Sequence, residues 1–166
     1  MAAYIVLEAE TRGNVTFHLP IPWFSPGNAT TANLSAHDQI FMANEIPAGS
    51  EVLADPMIVK VFFNLVDNAV RHGGKITTIR FSVEERNGDH VIVCEDDGVG
   101  IPAEEKEKIF ERGFGKNTGL GLYLSREILD ITGITIRETG GPGKGARFEM
   151  TVPKGVYRIN RDIDKS

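Results

Sequence analysis

Polar side chains recur at one-turn spacing along an otherwise apolar stretch in the middle of the chain. Residues 55–72 have the pattern of a helix, and at about 100° per residue one narrow strip holds Lys60, Asn64, Asp67, Asn68 and Arg71. Apolar residues fill most of the remaining circumference, which predicts a mostly buried helix. Two amides, a carboxylate and a guanidinium in such a strip either face solvent or bind a polar ligand.

A second candidate site follows a predicted strand, in the segment Asp96-Asp97-Gly98-Val99-Gly100. An ionised carboxylate only accepts hydrogen bonds, so Asp96 could bind the exocyclic amine of a base. Gly98 and Gly100 would let the backbone approach a flat ring closely. An acidic turn without a ligand is the alternative interpretation.

A glycine-rich loop, Gly113-Phe-Gly-Lys-Asn-Thr-Gly-Leu-Gly-Leu122, runs into another predicted helix. Free amides at a helix N-terminus bind anions, and Lys116 and Thr118 could add a charge and a hydroxyl. Flexible connectors have a similar composition, so the loop alone identifies no ligand.

The composition is that of one soluble globular domain: 166 residues, 41% apolar and 25% charged. A net charge of −5 argues against a nucleic acid partner. The only cysteine, Cys94, lies in an apolar run and is interpreted as a buried strand thiol. No apolar run approaches the roughly 20 residues that span a bilayer, and no signal peptide pattern is present. We therefore expect a cytoplasmic domain with no membrane contact by this segment.

Predicted strands and helices surround the three candidate segments. Asp55-Pro56 should begin the central helix and Gly73-Gly74 should end it. We expect two short strands within 40–54, separated by a turn at Pro47 and Gly49, further strands at 76–85, 90–96, 134–139 and 146–152, and helical pieces at 103–111 and 120–132. Asn87-Gly88 predicts a tight hairpin.

This order of elements predicts the α+β class, as a two-layer α/β sandwich of one mixed, largely antiparallel sheet with about three helices on one face. We divide the chain into an N-terminal extension (1–37), the main domain (38–154) and a charged tail (155–166), which should fray from Tyr157 onward.

Order and spacing of the motifs resemble the GHKL superfamily of gyrases, heat-shock chaperones, histidine kinases and mismatch-repair ATPases. The likeness is greatest to the catalytic domain of sensor histidine kinases, whose N, G1, F and G2 boxes resemble Asn64–His72, Asp96–Gly100, Phe110–Phe114 and Gly119–Leu122. Gly143–Pro153 resembles the closing segment of that domain. The resemblance covers about residues 38–154 and implies the Bergerat-type ATP-binding fold.

The resemblance also implies roles for individual residues. Asn68 would bind the Mg²⁺ that bridges the phosphates of ATP, with Asn64 assisting, and Arg71 would face the phosphates. Asp96 would accept from the adenine amine. The other implied nucleotide-binding positions are His72, Gly98, Gly100, Ile101, Phe110, Phe114, Lys116, Thr118, Gly119, Leu120, Gly121 and Leu122. Gly119 and Gly121 would act through their amides, and the loop that holds Lys116 would be a short ATP lid.

Asn64 suggests which branch of the superfamily the chain resembles. Hydrolytic branches typically carry a glutamate base at this position, and an amide cannot take a proton. The implied activity is a protein-histidine kinase catalytic domain that phosphorylates a histidine on a separate dimerisation domain, upstream of a response regulator.

The four histidines, His18, His37, His72 and His90, lack the sequence context of a phosphoacceptor. We therefore interpret the chain as the catalytic module of a longer sensor protein. A GHKL-type ATPase or serine/threonine protein kinase, and a non-catalytic nucleotide-binding regulator, remain alternatives.

Overall fold

A computed structural model of the chain describes residues 3–6, 8–10, 16–18, 40–115 and 119–159, the first three ranges as backbone only. The strands are β1 (Ala3–Val6), β2 (Glu8–Glu10), β3 (Thr16–His18), β4 (Phe41–Asn44), β5 (Ser50–Ala54), β6 (Thr78–Arg86), β7 (Asp89–Asp96), β8 (Thr135–Glu138), β9 (Arg147–Val152) and β10 (Tyr157–Ile159). The α-helices are α1 (Ile58–His72) and α2 (Gly121–Asp130), and two 3₁₀ helices span Ala103–Glu105 and Lys108–Phe110. None of the described helices is long and apolar enough to cross a membrane.

The main sheet has five strands in the order β4-β6-β7-β9-β8, and only the β4–β6 pair is parallel. Alternate residues of its strands form the core with α1 and α2; Phe62 of α1, for example, lies 5.7 Å from Phe81 of β6 between ring centroids. Cys94 belongs to this core, and burial raises the pKa of its thiol. The predicted α+β class and the predicted buried thiol are confirmed.

Helix α1 begins one turn after Asp55, whose carboxylate accepts the Met57 N–H at 2.8 Å. It ends at Gly73 as predicted, but it is less buried than its composition predicts. Phe63 is 51% exposed, while Val59, Val66 and Val70 are only partly buried. The helix packs on the sheet and on α2, and these two surfaces leave one of its sides open.

The helical piece predicted at 103–111 forms as the two 3₁₀ helices instead of one α-helix. Its backbone bonds span three residues, as in Glu105 N–H to Pro102 O at 3.0 Å and Glu111 N–H to Lys108 O at 2.9 Å. Only Phe110 of the two 3₁₀ helices is buried, so this mostly charged segment has little apolar surface with which to dock a regular helix.

Two turns agree with the sequence. Asn87 and Gly88 both have positive φ, 54° and 82°, and join β6 to β7 in a two-residue hairpin. The Pro47 turn is closed by Ser50 N–H to Pro47 O at 3.1 Å and separates β4 from β5, although these strands belong to different sheets.

Strand β5 lies between β1 and β10 in a separate antiparallel sheet, and β2 pairs with β3. The expectation that the tail frays from Tyr157 is wrong for β10. Tyr157 is 8% exposed, its hydroxyl lies 2.7 Å from Ser50 Oγ, and its ring stacks on His90 at 4.1 Å. These contacts order a segment whose local sequence is mostly charged. The histidine at position 37 lies outside the described residues.

The face of the main sheet opposite the helices carries a network of ion pairs. The Arg147 side chain crosses β7, and its guanidinium lies 2.6 Å from Glu84 Oε1 on β6. It passes over Val93, which is 0% exposed. Arg86 binds Glu149 at 2.8 Å, and this bond chiefly lowers the Glu149 pKa to about 2. Long arginine side chains thus cover apolar strand residues that no helix covers.

Candidate functional site

A cleft of about 590 Å³ lies between the second half of α1, the loop after β7 and the start of α2. Most of the site residues predicted from the sequence line it: Asn64, Asn68, Arg71, His72, Asp96, Gly100, Ile101, Phe114, Gly119, Leu120, Gly121 and Leu122. Gly98 and Phe110 are not among the lining residues, and Lys116 and Thr118 are outside the described residues. Folding therefore brings together the three segments that the sequence singled out.

The α1 strip forms one wall of the cleft. Arg71 Nε lies 2.8 Å from Asp67 Oδ1, one turn earlier on the helix. This hydrogen bond and the opposite charge raise the pKa of Arg71, so the guanidinium remains charged at every physiological pH. Asn68 is partly buried and lines the cleft with these two residues. The strip offers one cation and uncharged amide oxygens to a ligand.

Asn64 connects the two helices on either side of the cleft. Its Nδ2 donates to Gly121 O at 3.0 Å and to Ser125 Oγ at 3.1 Å. Ser125 is fully buried, and its hydroxyl donates to the same Gly121 oxygen at 2.8 Å. These bonds occupy the amide nitrogen and leave Oδ1 as the atom of Asn64 that could bind a ligand.

Asp96 is the last residue of β7 and lies on the same face of the sheet as the core residue Cys94. Its Oδ1 accepts the N–H groups of Gly98 at 2.8 Å and Ala146 at 3.2 Å. With Oδ1 fixed in this way, the carboxylate has a defined orientation. Oδ2 is the oxygen that could accept a hydrogen bond from a molecule in the cleft.

The loop after Asp96 packs tightly against the end of α1. Val99 N–H donates to Gly73 O at 3.0 Å. A Cβ on Gly98 would lie 2.3 Å from that same oxygen, so only glycine permits this approach. Asp97 faces away and binds Thr77, whose hydroxyl is the largest cause of the lowered Asp97 pKa. Of the two adjacent aspartates, Asp96 faces the cleft and Asp97 anchors the start of β6.

The far end of the cleft is formed by a short loop and the first turn of α2. Gly113 N–H donates to Gly119 O at 3.1 Å, which closes the loop at its base. Helix α2 then begins at Gly121, and the N–H groups of its first turn have no partners within the helix. Such amides could bind an anion at this end of the cleft.

Several cleft residues were not predicted as site residues: Asp67, Ala69, Gly73, Pro102, Glu105, Ile109, Gly115, Ala146 and Phe148. Ala146 and Phe148 fall in the closing segment noted from the resemblance, and their spacing of two residues, on either side of Arg147, could have placed both on the inner face. Phe110, which was predicted, instead packs edge-on behind Phe148 at 6.3 Å. Glu105 lies in a run of charged residues that gives no signal for it.

The donor set of the cleft fits the Mg²⁺ that the resemblance implies. No cluster of three or more His, Cys, Asp or Glu that could hold a metal occurs in the described part of the chain. Magnesium bound with a nucleotide needs only one or two protein oxygens in addition to phosphate oxygens and water. The side-chain oxygens of Asn68 and Asn64 are hard donors of the required kind.

Comparisons with known proteins agree with this geometry. Residues 54–156 match the family described as histidine kinase-, DNA gyrase B-, and HSP90-like ATPase. The sensor-like histidine kinase SenX3 of Mycolicibacterium smegmatis is 30% identical over 128 residues, which cover 71% of this chain and 33% of that protein. The chain thus spans about a third of the length of this relative.

Solved structures show the same fold. The catalytic domain of histidine kinase ThkA is 31% identical with a TM-score of 0.60, covering 70% of this chain and 81% of that one. The ATP binding domain of PrrB from Mycobacterium tuberculosis is 27% identical with a TM-score of 0.56, covering 70% and 79%. The chain therefore belongs to the histidine kinase-, DNA gyrase B- and HSP90-like ATPase family, as an ATP-binding catalytic domain of the sensor histidine kinase type.

Proposed function

We propose that this domain binds ATP with Mg²⁺ in the cleft and transfers the γ-phosphate to a histidine on a separate dimerisation domain. That histidine would then pass the phosphoryl group to a response regulator. Asn64 is the observation that carries the proposal, because it occupies the position one turn before Asn68 where hydrolytic relatives have a base. Its amide nitrogen binds Gly121 and Ser125 and cannot accept a proton. The nucleophile must then come from the acceptor.

The carboxylates that line the cleft support the same conclusion. They are Asp67, Asp96 and Glu105. Asp67 is ion-paired with Arg71, and Asp96 accepts two backbone amides. Glu105 belongs to the first 3₁₀ helix, after the Asp96 loop, and not to the α1 strip. Of these three carboxylates, only Asp67 lies on the α1 strip beside Asn68, and its Oδ1 is already bound by Arg71 Nε at 2.8 Å.

We assign the two ends of the cleft to the two parts of ATP. Asp96 Oδ2 would accept from the adenine amine, between Gly100 and Ile101. The first-turn amides of α2 would bind phosphate oxygens. Bound Mg²⁺ would supply positive charge that offsets the negative charge of the phosphates. Asn68 Oδ1 would hold it, assisted by Oδ1 of Asn64.

In the proposed reaction a ring nitrogen of the acceptor histidine attacks the γ-phosphorus. The bond from that phosphorus to the oxygen bridging the β- and γ-phosphates breaks, and ADP leaves with the electron pair. Arg71, which stays protonated, would offset charge on the phosphates. Catalysis then rests on positioning and charge neutralisation. We place this activity in the cytoplasm, where ATP is supplied.

The test mixes the chain with γ-labelled ATP, Mg²⁺ and purified histidine hairpin domains of sensor kinases. We expect label on the hairpin domain as an acid-labile, base-stable phosphoramidate. The Asn68→Ala variant serves as the inactive control. Label released mainly as inorganic phosphate would favour the ATPase alternative, and acid-stable label would favour a serine/threonine kinase. Binding of ATP with no transfer to any hairpin would favour a regulatory module.

A further inference from the structure

Glu138 at the end of β8 has a side chain that is 0% exposed. Its Oε1 accepts the backbone N–H groups of Gly140 and Arg147, each at 2.9 Å, and its Oε2 pairs with Lys106 Nζ. Lys106 also donates to Gly140 O at 2.7 Å. A buried carboxylate requires such partners. We call these four residues the Glu138 cluster; it joins the segment between the 3₁₀ helices to the β8–β9 connection.

The Glu138 cluster shares a peptide unit with Asp96. The planar unit between Ala146 and Arg147 contains the Ala146 carbonyl and the Arg147 N–H. Glu138 Oε1 binds that N–H, and the carbonyl accepts Asp96 N–H at 3.0 Å. Ala146 N–H in turn donates to Asp96 Oδ1 at 3.2 Å. A rotation of this peptide unit would therefore move a hydrogen-bond partner of Asp96.

The backbone around this peptide unit has no free space to absorb such a movement. A Cβ on Gly145, which has φ of +88°, would lie 1.8 Å from the carbonyl oxygen of Asp96. A Cβ on Gly140 would lie 2.5 Å from Gly145 O and 2.6 Å from Glu138 Oε1. The backbone at Gly140 thus packs against Gly145, and the backbone at Gly145 packs against Asp96.

We propose that Glu138 is a positioning residue for nucleotide recognition, which fixes the Ala146–Arg147 peptide unit and thereby orients the Asp96 carboxylate toward the adenine amine. Lys106 compensates the buried charge of Glu138. Neither residue lines the cleft, so both act through Asp96. The proposal rests on the proposed function, in which Asp96 recognises the amine.

The test compares the affinities for ATP and GTP, because adenine carries at C6 an amine that a carboxylate can accept from, whereas guanine carries a carbonyl oxygen there. Isothermal titration would be run at a temperature at which circular dichroism shows every variant folded. Glu138→Ala is expected to lower the ratio of ATP to GTP affinity by about tenfold, the loss of one well-oriented hydrogen bond. Glu138→Gln keeps a side-chain oxygen that can accept both backbone amides, so its ratio of ATP to GTP affinity should stay close to that of wild type.

Glu51 provides the matched control. Its side chain is 7% exposed and pairs with Arg158 at 2.5 Å, so it is a buried, ion-paired carboxylate like Glu138, but it lies on β5 in the other sheet. Glu51→Ala should lower stability and leave the nucleotide ratio unchanged. An unchanged ratio in folded Glu138→Ala would overturn the positioning role and reduce Glu138 to a stabilising residue.

Lys106→Met is the second variant, and it decides the question if Glu138→Ala does not fold. It removes the cation and leaves the buried carboxylate without its charge partner. The ratio of ATP to GTP affinity should therefore fall by about threefold, which is part of what one hydrogen bond contributes. A folded Lys106→Met with the wild-type ratio would then overturn the proposal. A wild-type chain that binds no ATP would instead contradict the proposed function itself.

Discussion

Replacing Asp96 with asparagine separates its structural contacts from its contact with a nucleotide. In Asp96→Asn the side-chain oxygen can stay at Oδ1 and keep the bonds from Gly98 and Ala146. The amide nitrogen then occupies the Oδ2 position, where it donates instead of accepting. The adenine amine would face another donor, whereas guanine would present a carbonyl oxygen to it. The fold should therefore persist while the base preference changes.

A hydrogen bond to a charged group contributes about 1.5–3 kcal/mol. Its loss should weaken ATP binding by roughly 10- to 150-fold, with no loss for GTP. Isothermal titration with both nucleotides measures this change. Asp97→Asn is the matched control, because Asp97 binds Thr77 and Thr78 and does not line the cleft. Equal losses for ATP and GTP in Asp96→Asn would refute adenine recognition by this carboxylate.

Three further variants test the fold and the chemistry. Tyr157→Phe removes the donor to Ser50 Oγ, whose own proton already binds a carbonyl, and should lower the free energy of urea unfolding by about 1 kcal/mol. The pKa of Glu149 falls from 4.5 to about 2 beside Arg86, so its stabilising effect is complete above pH 4.5 and is lost as the pH falls toward 2. Glu149→Gln should flatten the unfolding free energy across that range. Asn64→Glu should raise the release of inorganic phosphate from ATP by supplying a base, at some cost in stability.

Local sequence was sufficient for features that depend on neighbouring residues. Asn87-Gly88 predicted its hairpin because these residues tolerate positive φ, and Gly73 ended α1 as expected. The polar strip of α1 was also readable, since the helical period alone places Asn64 and Asn68 on one side. To predict that this strip lies beside the Asp96 loop, the order of the motifs along the chain was needed as well.

Features that depend on distant partners could not be read from the sequence. Tyr157 sits in a mostly charged segment, and only its pairing with β5 orders it. Glu138 looks like an ordinary strand residue until Lys106, 32 positions earlier, is seen beside it. The exposure of Phe63 likewise depends on which sides of α1 other elements cover. In each case long-range packing, and not local propensity, decides the outcome.

Asn68 is proposed to hold Mg²⁺ against the phosphates of ATP in this cleft. The most direct measurement is ATP affinity with and without Mg²⁺ for the wild-type chain and for Asn68→Ala. Wild type should bind ATP more tightly with Mg²⁺, whereas the variant should bind it with one affinity in both conditions, equal to that of wild type without Mg²⁺, because only the metal contact is lost. An Asn68→Ala protein that is folded and keeps the full effect of Mg²⁺ would contradict the assignment of this cleft.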